Sequence, residues 1–452
     1  MEEIVMTNHT LALSCGAVSG AAAGRRRTVG LFRRLGKNAS LLLIAAMFLG
    51  GTGLSLCFGI PVKRVMSGYS YDVLVILIVM ELFNNLSAGT GIMQLLAIRI
   101  AQFSQGKKRL CLILFGAMMF LISSCLNNIS ALLMLLPIVF VLLKTIEVDR
   151  RYTCTFFAVI LALSSTGGAA SPVGDFPAIV ILTSGITDFV GYLTHAFPLF
   201  ALTSAVLLLV WGLYVREKRD DGAVRGLAIS NLKSQYRNIE VRFDVLKWLA
   251  VVFLGMFLAW SFVPQETLPP EIIAVLGYAV ALVVCSVKKV RVEQRMDLKS
   301  VLTIASFLFF AQVVSQTGLL ERAADALQRG IHDPKLLVMA IMVITSLVAG
   351  VFSAGPAAAA MMPVIVELCA GPLSAQSHWI AVAYAAAICS GSSLFMWSAT
   401  AGFVLSEKVN AAGLEDETGR RMLWGVGQYL KYGLVNYAIQ LSIALTAMAL
   451  VL

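Results

Sequence analysis

SSTGGAASPVGDFP, residues 164–177, sits inside an apolar stretch and yet carries Gly167, Gly168, Pro172, Gly174 and Pro177. Glycine and proline at that density do not sustain a continuous helix. The segment therefore reads as a helix, an unwound stretch near the middle of a bilayer, and a second half-helix. Asp175 lies inside it. A carboxylate at the centre of a span costs about 2.5–3.5 kcal/mol on insertion scales, so it turns toward a cavity or a partner. Ser164, Ser165, Thr166 and Ser171 add further oxygens. The functional reading is an ion or proton site at a discontinuous helix. The plainer one is a kinked helix whose aspartate bonds to backbone amides.

The membrane setting follows from the rest of the chain. It has 452 residues, of which 59% are hydrophobic and 13% charged. Its mean hydropathy is +0.85. Soluble domains carry about 25% charged residues. Apolar segments run over 39–59, 71–98, 109–126, 129–144, 152–185, 189–215, 244–263, 271–287, 300–317, 335–352, 356–371, 379–406 and 427–452. Lipid offers no partner to the backbone, so these are helices; a β-barrel would show short alternating segments instead. The fold class is an all-α polytopic membrane protein. The net charge of +10 does not imply nucleic acid, because the basic residues lie between apolar segments, as membrane orientation requires. Eight scattered cysteines form no CxxC or Cys/His cluster and read as small apolar fillers. His9, His195, His332 and His378 form no catalytic or metal constellation.

Charge asymmetry gives an orientation. Arg25, Arg26, Arg27, Arg33, Arg34 and Lys37 precede the first apolar segment, and further basic clusters fill 99–109, 144–151, 216–243 and 288–299. Connectors 264–270 and 372–378 hold no Lys or Arg. The N-terminus and the basic connectors are expected in the cytoplasm of a multi-pass cell (inner) membrane protein. Lys63, Arg64, Arg322 and Arg329 depart from the rule. The chain divides into a cytoplasmic tail 1–38, a first transmembrane repeat 39–215, a cytoplasmic linker 216–243 and a second transmembrane repeat 244–452. The repeats rest on three ordered matches at nearly one offset. Thr90-Gly91 matches Thr317-Gly318, 126–137 matches 352–363, and 165–175 matches 390–400. Opposite directions of 71–98 and 300–317 make the repeats inverted, as in many secondary transporters.

The unit formed by segments 109–126 and 129–144 is basic at both ends, and its junction holds Asn127, Asn128 and Ser130. A re-entrant helical hairpin with its tip in a polar cavity fits this pattern, and its amide, hydroxyl and carbonyl oxygens suit sodium. A tight loop at the far membrane surface fits it too. The second repeat offers Ser353, Gly355 and Pro356 at a tip, and Ser390, Gly391, Ser392, Ser393, Ser398 and Thr400 at a break, with no acid. Glu81 is a second candidate proton carrier beside Asp175, Glu367 a weaker one, and Gln312 and Gln316 are candidate cavity-lining residues.

These residues resemble the ion transporter superfamily, which includes sodium/proton antiporters, arsenite pumps and citrate and divalent-anion transporters. GGAASPVGD (167–175) is similar to its Gly-Gly-x-x-Ser-Pro-x-Gly-Asp stretch, LNNISALLMLLP (126–137) to its first hairpin tip, and SGSSLFMWSATAGFVLSEK (390–408) to its second break. The resemblance implies two re-entrant hairpins and two broken helices around a midplane site that moves like an elevator. It carries over to Asn127, Asn128, Ser130, Gly167, Gly168 and Asp175, and to Ser353, Ser392 and Ser393. Asn127 stands where the family has an acid, and Ser353-Ala354 where it has Asp-Asn. The expected function is an ion-coupled secondary transporter, first a sodium/proton antiporter-like permease. The alternative is a sodium- or proton-coupled anion carrier for citrate, dicarboxylate or arsenite; a channel or a membrane-embedded enzyme ranks lower. No nucleotide loop and no HExxH run is present. The expected partners are the lipid bilayer, a small ion or anion and a second copy in a homodimer, with no cofactor beyond a bound sodium ion.

Overall fold

The computed structural model describes residues 44–145, 149–216, 241–264, 267–290, 298–318, 322, 329–331, 333–370, 374–415 and 419–451. The tail 1–38, nearly all of the linker 216–243, Arg291, Arg295, His9 and His332 lie outside these residues. Helices fill almost everything described. A first helix α1 spans Ile44–Cys57. Next come α2 (Val62–Ser67), α3 (Tyr71–Ala88), α4 (Ile92–Ser104), α5 (Lys108–Ser123), α6 (Asn128–Thr145), α7 (Arg150–Ala169), α8 (Phe176–Thr183) and α9 (Phe189–Tyr214). The second half holds α10 (Phe243–Phe262), α11 (Pro270–Val287), α12 (Leu298–Gln316), α13 (Pro334–Phe352), α14 (Ala354–Ala370), α15 (Ser377–Ser392), α16 (Gly402–Ala411) and α17 (Val426–Val451). Seven of them, α3, α7, α9, α10, α11, α13 and α17, are long and apolar enough to cross a bilayer. The chain is a polytopic helical membrane protein.

One expected segment divides. Residues 71–98 are two helices, because Gly91 takes a left-handed φ of 76° and the Thr90 hydroxyl donates to the Ser87 carbonyl at 2.7 Å, ending α3. Pro172 and Gly174 fall in the break before α8, whereas Pro137, Pro198 and Pro363 lie inside helices. Pro177 lies in the first turn of α8, where its missing N–H costs no helical bond.

Burial separates an inner set of helices from an outer one. Every residue of α7 from Tyr152 to Ala169 is buried, as is every residue of α15 from Ile380 to Ser392. By contrast α10 and α11 pack on each other and expose Leu254, Phe262, Val280 and Val283. Apolar side chains exposed in such a row face lipid rather than water. Inside, α7 packs against α5 and α9, and α15 against α13 and α17. The contacts also cross between halves: α8 lies on α14, and α16 lies on α6.

Direction can be read from side chains at the helix ends. At the start of α7, the Tyr432 hydroxyl donates to the Arg151 carbonyl (3.4 Å), and the Phe157 ring meets Trp424 at 6.0 Å. Asn410, near the end of α16, donates to the Trp424 carbonyl at 2.8 Å. After α8, Thr187 hydrogen-bonds His378 in the first turn of α15 at 2.7 Å, and the His195 and His378 rings stack at 5.6 Å. The pair α7–α8 therefore runs from one face to the other, and α15–α16 runs back. The two histidines join the halves at the face where α8 ends.

Candidate functional site

The first hairpin tip and the first helix break meet. Between α5 and α6 the chain turns over residues 124–127, and between α7 and α8 it unwinds over residues 170–175. Asn128, the first residue of α6, donates from Nδ2 to Asp175 Oδ2 at 2.6 Å. The Ser123 hydroxyl lies between Asn128 Oδ1 and the Ser164 carbonyl, 2.7 Å from the latter. It has one proton and serves one acceptor at a time. The Ser171 hydroxyl donates to the Ser124 carbonyl, which fastens the unwound stretch to the turn. A side chain at Gly168 would place its Cβ on the Asn128 amide and 2.7 Å from Asp175 Cβ, so the hairpin tip approaches only because residue 168 has none.

Asp175 is 5% exposed and has one partnered oxygen; its Oδ1 is buried without a hydrogen-bond partner. An unpaired buried carboxylate oxygen is costly, which makes it a natural ligand for a cation or a proton. The residue also caps α8, whose Ala178 and Ile179 N–H groups donate to the Asp175 carbonyl at 3.1 and 3.2 Å, and the helix dipole places partial positive charge beside it.

The second unit repeats the construction without an acid. Only Ser353 separates α13 from α14, at φ 98° and ψ 156°, a region of backbone that glycine favours. The break between α15 and α16 spans residues 393–401. The Ser398 carbonyl accepts from the Ala354 N–H at 3.1 Å, so this tip too is tied to its break. A Cβ at Gly391 would strike the Ser346 carbonyl, as one at Gly167 would strike the Phe120 carbonyl. A tyrosine from the last helix of each unit donates to a carbonyl at the end of the half-helix: Tyr192 to Ala169 and Tyr429 to Ser393, both at 2.8 Å. The two units also meet, since the Gly355 backbone lies against the Phe176 ring, beside Asp175.

The other expected residues fall as follows. Asn127 Oδ1 accepts from the Ile129 N–H at 2.9 Å and so caps α6. Ser130 is half-buried in the first turn of α6, and Ser165 and Thr166 are buried on α7. Thr166 receives a hydrogen bond from Ser204 at 3.0 Å. Ser392 bonds back to the Cys389 carbonyl at 2.8 Å. Glu81 is half-buried on α3, which packs on α8 and α6. Missing from the sequence reading were Gln440 and Asn436, one turn apart on α17. Gln440 Nε2 donates to Ser393 Oγ at 2.9 Å, and its buried Oε1 has no partner. Asn436 accepts from Trp211 at 2.8 Å. Two amides inside an apolar span were the available signal.

Comparison with known proteins identifies the family. A family model described as "Citrate transporter" matches residues 29–389. The chain belongs to the citrate transporter family. Relatives include a "46 kDa membrane protein" of Mycobacterium leprae, 27% identical over 364 residues, covering 77% of this chain and 80% of that protein. An "Uncharacterized transporter" of Mycobacterium bovis is 25% identical over 357 residues, with the same coverage of 77% and 80%. The pig "P protein" is 22% identical over 434 residues, which cover 79% of this chain and 50% of that protein. Within the citrate transporter family, two ties between a hairpin tip and a helix break define the candidate site here.

Proposed function

We propose that this protein is a secondary carrier that moves a small carboxylate anion of the citrate class together with a cation. The observation that carries this reading is the buried Asn128–Asp175 pair, which leaves Asp175 Oδ1 without a partner between tip and break. Asp175 takes the cation or proton. The hydroxyls of Ser392, Ser393 and Ser398 and the N-termini of α8 and α16 take the anion, which neutral donors and helix dipoles suit. Membership of the citrate transporter family supports an anion as cargo. Sequence matches at one offset, paired glycine approaches at Gly167 and Gly391, and opposite running of the two broken helices support two inverted repeats. Basic connectors support a cytoplasmic N-terminus in a cell membrane. A homodimer completes the reading, and no covalent step is assigned to any residue.

Binding tests it without a transport assay. The melting midpoint of purified protein should rise with citrate, and further with citrate plus sodium or at lower pH, because a ligand held only by the folded state stabilises it. No rise with any di- or tricarboxylate removes the anion from the scheme. The second reading, sodium/proton antiport, is favoured by Asp175 being the lone acid at the two breaks. Sodium-driven proton flux in citrate-free vesicles, lost in Asp175→Asn, would select it.

A further inference from the structure

A cavity of about 320 Å³ lies between α8, α12 and α14, away from the residues just described. Its polar lining is Ser70, Thr183, Ser184, Gln312, Ser315 and Glu367. Each stands near a helix end on one face of the molecule. Thr183 ends α8, Ser70 precedes α3, Ser315 is one residue from the end of α12, and Glu367 is one turn from the end of α14. This is the face where the Thr187–His378 contact lies. Along α14 the lining reaches inward from Glu367 to Ala359, about 12 Å at helical rise. Ala359 is five residues from Ala354 at the second hairpin tip, and Val180, also in the lining, is one turn from Phe176. The cavity thus descends from a surface toward the junction where Phe176 meets Gly355 beside Asp175.

The charge at its mouth is specific. Glu367 is exposed, and no ion pair is formed by it among the described residues. The remaining polar lining groups are neutral hydroxyls and one amide. A single carboxylate in a recess whose other polar groups are neutral raises the local concentration of cations and lowers that of anions.

We propose that this cavity is the vestibule by which an alkali-metal coupling cation reaches the buried site, and that Glu367 sets its preference for cations. The proposal rests on the carrier reading for its purpose, but its test does not depend on transport. Ser184→Cys, in the full chain reconstituted in vesicles, is treated with membrane-impermeant thiosulfonate reagents, one bearing a trimethylammonium group and one a sulfonate. The parent chain, with its exposed Cys57 and Cys125, supplies the background rate. The engineered thiol should react, with the cationic reagent the faster. Adding Glu367→Gln should slow the cationic and speed the anionic reagent by about twofold or more each, so their rate ratio falls about fourfold or more. The difference should vanish near 1 M salt, and Glu367→Asp should restore the ratio. A thiol that stays unreactive at both Ser184→Cys and Ser315→Cys overturns the vestibule. A ratio unchanged by Glu367→Gln overturns the role of the carboxylate. Failure of citrate binding with these results intact would instead count against the cargo.

Discussion

The contact between Asn128 and Asp175 joins two parts of the chain 47 residues apart, and a double-mutant cycle measures what it contributes. Asn128→Ala removes an amide that donates to a carboxylate at 2.6 Å and accepts from Ser123. A hydrogen bond to a charged group contributes about 1.5–3 kcal/mol and a neutral one about 1 kcal/mol, so the single change should cost about 2.5–4 kcal/mol. Asp175→Ala loses the same charged bond and strands the Asn128 amide. The double variant loses that bond only once, so the two costs should fail to add by about 1.5–3 kcal/mol. Reversible unfolding in mixed detergent micelles, followed by tryptophan fluorescence, gives all four free energies. Additivity within about 0.5 kcal/mol would mean that tip and break do not hold one another, and the site as described would fall.

Two further changes probe the second unit. Gly391→Ala places a methyl group on the Ser346 carbonyl and 2.7 Å from the Ala349 Cβ, so α13 and α15 have to separate; the expected loss is about 1–3 kcal/mol in the same unfolding assay, and an unchanged midpoint would contradict the close packing. Ser353→Gly relieves a φ of 98° that costs about 1–3 kcal/mol in a non-glycine residue, so the unfolding midpoint should rise, and a fall would show the hydroxyl to matter more than the backbone.

Much of this was legible in the sequence, and the reasons are local. Pro172 and Gly174 do not sustain a helix, so the unwound stretch before α8 was readable from residue type, whereas Gly167 and Gly168 stay in the last turn of α7 and admit the Phe120 carbonyl and the Asn128 amide. The same logic read the hairpin tips at Asn127–Asn128 and Ser353. It missed the break at Gly89–Gly91, where two glycines in an apolar run gave too weak a signal. Which of two adjacent asparagines faces Asp175 depends on helix register at the start of α6: Asn127 caps the helix and Asn128 turns inward. Gln440 bonds Ser393 from 47 residues away, and Trp211 meets Asn436 across 225. Pairings of that kind arise from how helices pack, which no local pattern records. Gln312, expected to line a cavity, does so, but in the vestibule rather than at Asp175.

Uptake of labelled citrate into proteoliposomes under an imposed sodium or proton gradient is the most direct test of the carrier. The parent chain should accumulate citrate only with the gradient, and Asp175→Asn, folded and reconstituted equally, should not. Gradient-driven accumulation that persists undiminished in Asp175→Asn would contradict the assignment of the buried carboxylate as the coupling group.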